Sequence, residues 1–119
     1  MDFAYQENAG RTVVTKAATA TLVPDELNGT LVVADTTSGA VALTLPAASA
    51  EMDGYKALIV DAAANALTIV VAAGFGAVGA GGDTLTLARG EMAMVLCSKV
   101  LVNGTDVFCW FALYAGALG

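Results

Sequence analysis

The chain has 119 residues, 57% of them hydrophobic and 13% charged, and eleven acidic against five basic side chains leave a net charge of −6 with no histidine. This composition excludes a disordered chain and fits one domain able to bury roughly two-thirds of its unfolded surface. It also weighs against a phosphate-backbone partner, because the five Lys and Arg are scattered from Arg11 to Lys99 without a cluster.

Residues 1–10, Met-Asp-Phe-Ala-Tyr-Gln-Glu-Asn-Ala-Gly, show no sustained period and end in glycine, so they read as an N-terminal arm. Phe3 and Tyr5 make that arm a candidate for lying on a neighbouring surface. From residue 11 to residue 119 the pattern fits a single all-β domain. Val41, Leu43 and Leu45 alternate with Ala40, Ala42 and Thr44, and Leu85 and Leu87 alternate with Thr84 and Thr86. Pro24-Asp-Glu-Leu and the Ala-rich piece Pro46 to Met52 can each make one helical turn, but no segment has the length and period of a stable helix. Turn signals stand at Asn28-Gly29, Ser38-Gly39, Asp53-Gly54, Ala64-Asn65, Gly79 to Gly82 and Asn103-Gly104, a spacing expected of a β-sandwich or barrel of about seven to nine short strands. Neither a clean internal repeat nor a linker is apparent.

The uncharged stretch Ala62 to Gly82 has the length of a membrane span. It is mostly Ala and Gly, contains Asn65 and Thr68, and is flanked by Asp61 and Asp83, so a buried strand followed by a Gly-rich turn is the expected reading and no membrane partner is assigned. Within it, Gly74-Phe-Gly-Ala-Val-Gly79 matches the G-x-G-x-x-G string. The helix that such a site needs at its third glycine is missing, because Asp83 leads directly into Thr84 to Leu87; no cofactor is assigned.

Asn103-Gly104 favours the positive φ angles of a two-residue hairpin turn and is expected to join Glu91–Val102 to Thr105–Tyr114. In that register Cys97 faces Trp110 and Cys109 faces Ser98, which puts the two thiols on opposite faces, out of bridging reach; a three-residue loop would return them to one face. On the last strand Val107, Cys109, Phe111 and Leu113 point one way and Phe108, Trp110 and Tyr114 the other. Neither face is polar, so both are expected to be covered, within the domain or by a partner chain. Phe108, Trp110 and Tyr114 are the candidates for a subunit interface, and self-association is expected from the high apolar content.

The side chains that usually carry catalysis are sparse. Without histidine the chain lacks the commonest general base and nitrogen ligand. The carboxylates Asp25, Glu26, Asp35, Asp53, Asp61, Asp83 and Asp106 sit in or beside turns and lack the dense oxygen-ligand spacing of a calcium loop, so no catalytic or metal-binding residue is assigned and an enzyme is not expected. Asn28-Gly-Thr30 and Asn103-Gly-Thr105 match the glycosylation acceptor pattern but read as turns, since no secretory signal is visible.

Laid end to end, Val41-Ala-Leu-Thr-Leu-Pro-Ala-Ala48, Gly54-Tyr-Lys-Ala-Leu-Ile-Val-Asp61, Ala66-Leu-Thr-Ile-Val-Val71, Asp83-Thr-Leu-Thr-Leu-Ala-Arg-Gly90 and the late Trp110 resemble the small β-rich virion proteins of tailed bacteriophages. These are capsid decoration or cement proteins and the related head-fibre and tail-fibre modules. The resemblance implies a structural protein on the capsid surface, made in the host cytoplasm, that binds the major capsid protein of the assembled head as a homotrimer. A head-fibre or tail-fibre module, with host or carbohydrate binding through Tyr55, Trp110 or Tyr114, is the alternative; the chain lacks the long repetitive shaft usual in fibres.

Overall fold

A computed structural model describes residues 12–71 and 83–115, with the side chains of residues 83, 114 and 115 outside the description. The described residues form nine strands: β1 (Thr12–Lys16), β2 (Ala20–Thr21), β3 (Thr30–Ala34), β4 (Val41–Thr44), β5 (Lys56–Asp61), β6 (Leu67–Val71), β7 (Asp83–Leu87), β8 (Met92–Val102) and β9 (Thr105–Ala115). They make a five-stranded sheet in the order β1-β3-β5-β8-β9 and a four-stranded sheet in the order β2-β4-β6-β7. The expected all-β single domain is the observed fold, and of the sandwich and the barrel that the period of two allowed, the two sheets make it a sandwich.

The connectivity is less ordinary than the pattern of turns suggests. β1, β3 and β5 pair in parallel in one sheet, and β2, β4 and β6 pair in parallel in the other. Parallel neighbours need a crossover. Here the crossover of each sheet is a strand of the opposite sheet, so the chain winds between the sheets and lays one coil on the next. Antiparallel strands finish each sheet, β7 against β6 and then β8 and β9 beyond β5.

Corresponding corners of the coils share a device. Leu22-Val-Pro24 and Leu45-Pro46 each leave a strand with a buried leucine. Each is followed by a 3-10 turn, at Pro24–Leu27 and Ala50–Met52, whose last residue, Leu27 or Met52, is buried between the sheets. Gly29 and Gly54 then turn the chain into β3 and β5 with φ of +71° and +88°, values that a side chain disfavours. The sequence shows no clean repeat because these corners differ in length and share only the leucine, the proline and the glycine.

The sheets pack through the residues of alternate positions. Val32, Ile59 and Val95 from the larger sheet meet Leu43, Leu67, Ile69 and Leu87 from the smaller one. Trp110 belongs to this core, only 1% exposed, and its indole N–H donates to the Pro46 carbonyl at 2.7 Å, which supplies the partner a buried tryptophan requires. The polar exceptions are local ties. Buried Thr36 donates its hydroxyl to Asp61 Oδ1 at 2.7 Å, joining the corners of successive coils, and Asn65 Nδ2 donates to the Thr36 carbonyl at 2.6 Å. Glu26 accepts the Val23 N–H at 3.0 Å and pairs with Lys16 at 2.8 Å, which fixes the first 3-10 turn to β1.

The last hairpin has the expected register. Asn103 and Gly104 take φ of +50° and +78°, and Cys97 stands opposite Trp110 while Ser98 stands opposite Cys109. The thiols are therefore on opposite faces, and both are free and buried.

Candidate interaction surface

The two outer faces of the sandwich differ in chemistry. On the four-stranded sheet the outward positions include Thr21, Thr44, Thr68, Thr84 and Thr86, because Leu43, Ile69 and Leu87 on the same strands point into the core. Hydroxyls suit this face to water. On the five-stranded sheet the inward positions include Val32, Ala34, Ala57, Ile59, Ala93, Val95 and Cys97, which leaves the outward ones mostly apolar, with Thr15, Lys56 and Ser98 among the polar exceptions.

The register sets those outward side chains in rows. Val13, Leu31, Leu58, Met94 and Leu113 run side by side across all five strands. Val33, Val60 and Met92 form the next row, and Leu96 and Phe111 continue the face past Lys56. Leu31, Leu58, Met94 and Phe111 are half-buried by their neighbours, whereas Val13 and Leu113 at the two margins are 57% and 66% exposed. A recess of about 190 Å³ lined by Gly29, Lys56, Leu58 and Met94 opens at one end. No outward position of the five strands is acidic, and Lys56 is their single charge. Asp25, Glu26, Asp35, Glu51 and Asp53 lie in corners and turns beyond the strands.

Of β8, only Met92 to Leu96 pair with β5, so the rest of the β8–β9 hairpin runs on past it, held at its base where Gly54 N–H donates to the Cys97 carbonyl and Lys99 N–H to Asp53. At the tip Leu101, on the side of Lys99 and Trp110, is 70% exposed, and Val102, on the outer side with Val100 and Val107, is 43% exposed. Along that outer side apolar surface runs on from the sheet, interrupted by Ser98.

The residues singled out in the sequence fall in different places. Trp110 is enclosed by its own chain and has no surface to offer a second subunit; Phe108 is half-buried on the same side of β9, toward the tip. The side chain of Tyr114 lies outside the described residues, as do Phe3, Tyr5 and the Gly74 to Gly79 string. Tyr55 packs against the core, partly buried. Of the two faces of β9, the one carrying Trp110 is covered by the domain; on the other Cys109 is buried, Phe111 half-buried and Leu113 exposed within the described chain. The apolar rows on β3 and β5 were legible in principle: Leu31-Val-Val and Ala57-Leu-Ile-Val are apolar at both parities, unlike the alternating Val41-Ala-Leu-Thr and Asp83-Thr-Leu-Thr-Leu.

Chemistry elsewhere is limited. Burial pushes both thiols above the usual cysteine range; for Cys97 the nearby Asp53 and Cys109 add to that, against a contact with the Ser49 carbonyl. Asp61 is fully buried, with Oδ1 bonded to Thr36 and Oδ2 without a partner among the described residues. No cluster of three or more potential metal ligands occurs among the described residues, and no helix there is long and apolar enough to cross a membrane. Comparison with protein-family models, with curated proteins and with solved structures finds nothing that matches the chain.

Proposed function

We propose that this protein is a structural subunit of a tailed-phage virion, a decoration protein that binds the assembled head and stabilises it without catalysing a reaction. The observation that carries the reading is the broad aliphatic face on the five-stranded sheet, a surface suited to assembly and unsuited to water. The resemblance of Val41 to Trp110 to phage virion proteins supplies the kind of assembly, and with it the homotrimer and the major capsid protein as partner. A ligand that prefers the assembled lattice to its free subunits stabilises the lattice by linkage. Several copies joined in one oligomer bind several shell subunits at once, so weak contacts add through effective concentration. In this reading Phe3 and Tyr5 of the N-terminal arm touch the shell.

The test is cosedimentation of the protein with undecorated heads, followed by heating. The full chain is expected to bind and to raise the temperature at which heads release DNA, and deletion of residues 2–10 is expected to abolish binding. Equal binding by the truncated chain removes the arm from the contact. Failure of the full chain to bind removes the decoration reading. The stacked parallel coils then favour the second reading, a fibre module, since stacking coils is how a chain extends in one direction.

A further inference from the structure

The outer face of the five-stranded sheet has a size, a shape and a charge pattern that select its occupant. Five strands about 4.8 Å apart, with outward residues in rows roughly 7 Å apart, give a patch on the order of 500 Å², and the outer side of the hairpin extends it to about 600 Å². That is at the top of the range for the largest apolar patch on an ordinary monomer. Buried against an equal surface it makes about 1,200 Å², the lower bound of a specific protein interface.

We propose that this face is covered by the same face of another copy of the chain, a two-fold contact that pairs copies and is separate from the contact that closes a homotrimer. Charge favours that occupant. The protein carries a net charge of −6, yet no outward position on these strands is acidic and their one charge is the exposed Lys56 at the start of β5. Two copies therefore meet here with their corner carboxylates held away from the contact and with Lys56 left at its end, toward solvent. Val13 and Leu113, on the edge strands, are exposed at the margins, and the recess beside Leu58 and Met94 can receive side chains from across the contact. The interface therefore uses Leu31, Leu58, Met94, Phe111 and Leu113, the side of β9 opposite to Trp110. A copy of the same chain is the partner always present at the protein's own concentration, and self-complementary patches are the usual way such contacts close.

This inference rests on reading the face as an assembly surface, and it stands or falls apart from attachment to a phage head. Light scattering after size exclusion is run on the full chain and on Leu58→Lys and Met94→Lys, with circular dichroism confirming that each variant is folded. The full chain is expected at an even multiple of 11.9 kDa, and either lysine is expected to weaken the pairing of copies by about a hundredfold or abolish it, since it places an unpaired charge in the middle of an apolar contact. If Leu58→Lys does not fold, Met94→Lys, on the edge of the same recess, decides the matter. A full chain that stays at 11.9 kDa at all concentrations overturns the proposal, as does an oligomer that both lysine variants leave unchanged. A monomer that begins to associate when residues 1–11 are removed overturns it in favour of the chain's own N-terminal segment as the cover. Loss of head binding with association intact rejects the virion function and leaves this interface in place.

Discussion

Replacing Trp110 with alanine separates a core tryptophan from an interface one. The indole is 1% exposed, packs in the core between the sheets and gives its N–H to the Pro46 carbonyl at 2.7 Å, which ties β9 to the segment after β4. Truncating a buried tryptophan to alanine costs about 3–5 kcal/mol, which includes the void and the lost hydrogen bond. A domain of this size has a total stability of roughly 6–18 kcal/mol, so the variant is expected to fold but to be markedly weakened. With an unfolding entropy near 2 cal/mol/K per residue, the loss corresponds to a fall in Tm of roughly 12–20 °C. Trp110→Phe, which keeps a ring and loses the donor, is expected to lose about half as much. The assay is urea unfolding followed by far-UV circular dichroism at fixed protein concentration, because the chain has a single tryptophan and the variants lose its fluorescence. A loss below about 1 kcal/mol together with dissociation of an oligomer would refute the core assignment and place Trp110 between subunits.

The Glu26–Lys16 pair gives a pH signature. Hydrogen bonds from Lys16 and the Val23 N–H lower the Glu26 pKa in the folded protein, so its stabilisation is complete above the unfolded value near 4.5 and is lost as pH falls through the lower folded value. Glu26→Gln is expected to flatten that part of the acid limb in denaturation at successive pH values, by about 1 kcal/mol or less for so accessible a pair; an unchanged limb contradicts the assignment. Cys97 and Cys109, buried and with raised pKa, are expected to resist a thiol reagent at neutral pH until the chain unfolds and to form no intrachain bridge under mild oxidation. Rapid labelling of the native protein, or an intrachain disulfide detected by mass spectrometry, contradicts that placement. Gly54→Ala meets open space but a φ of +88°, so backbone strain is its main cost, about 1–2 kcal/mol by denaturant titration. A neutral result there means that the corner relaxes away from positive φ.

Local chemistry was readable in the sequence because it depends on few residues. Alternation in Val41 to Leu45 and Thr84 to Leu87 specified strands with one face inward, since side chains on a strand change face at every step. Asn103-Gly104 specified the hairpin and, through its two-residue turn, the opposition of Cys97 to Trp110. Pro24-Asp-Glu-Leu marked a single helical turn for the same reason: a fixed proline φ and a short polar segment act within a few residues. Which sheet each strand joins was decided only in three dimensions. Asn28-Gly29 and Asp53-Gly54 look like hairpin turns but carry the chain from one sheet to the other, each directly after a residue, Leu27 or Met52, buried in the core. The side of β9 that meets the core was likewise undecided in the sequence, where both faces are apolar. Packing settled it in favour of the face carrying Trp110, whose indole N–H meets the Pro46 carbonyl there, and so left Phe111 and Leu113 outward in line with Leu31, Leu58 and Met94. That alignment joins residues far apart in the chain, and it exists only once the parallel coils have been laid in register.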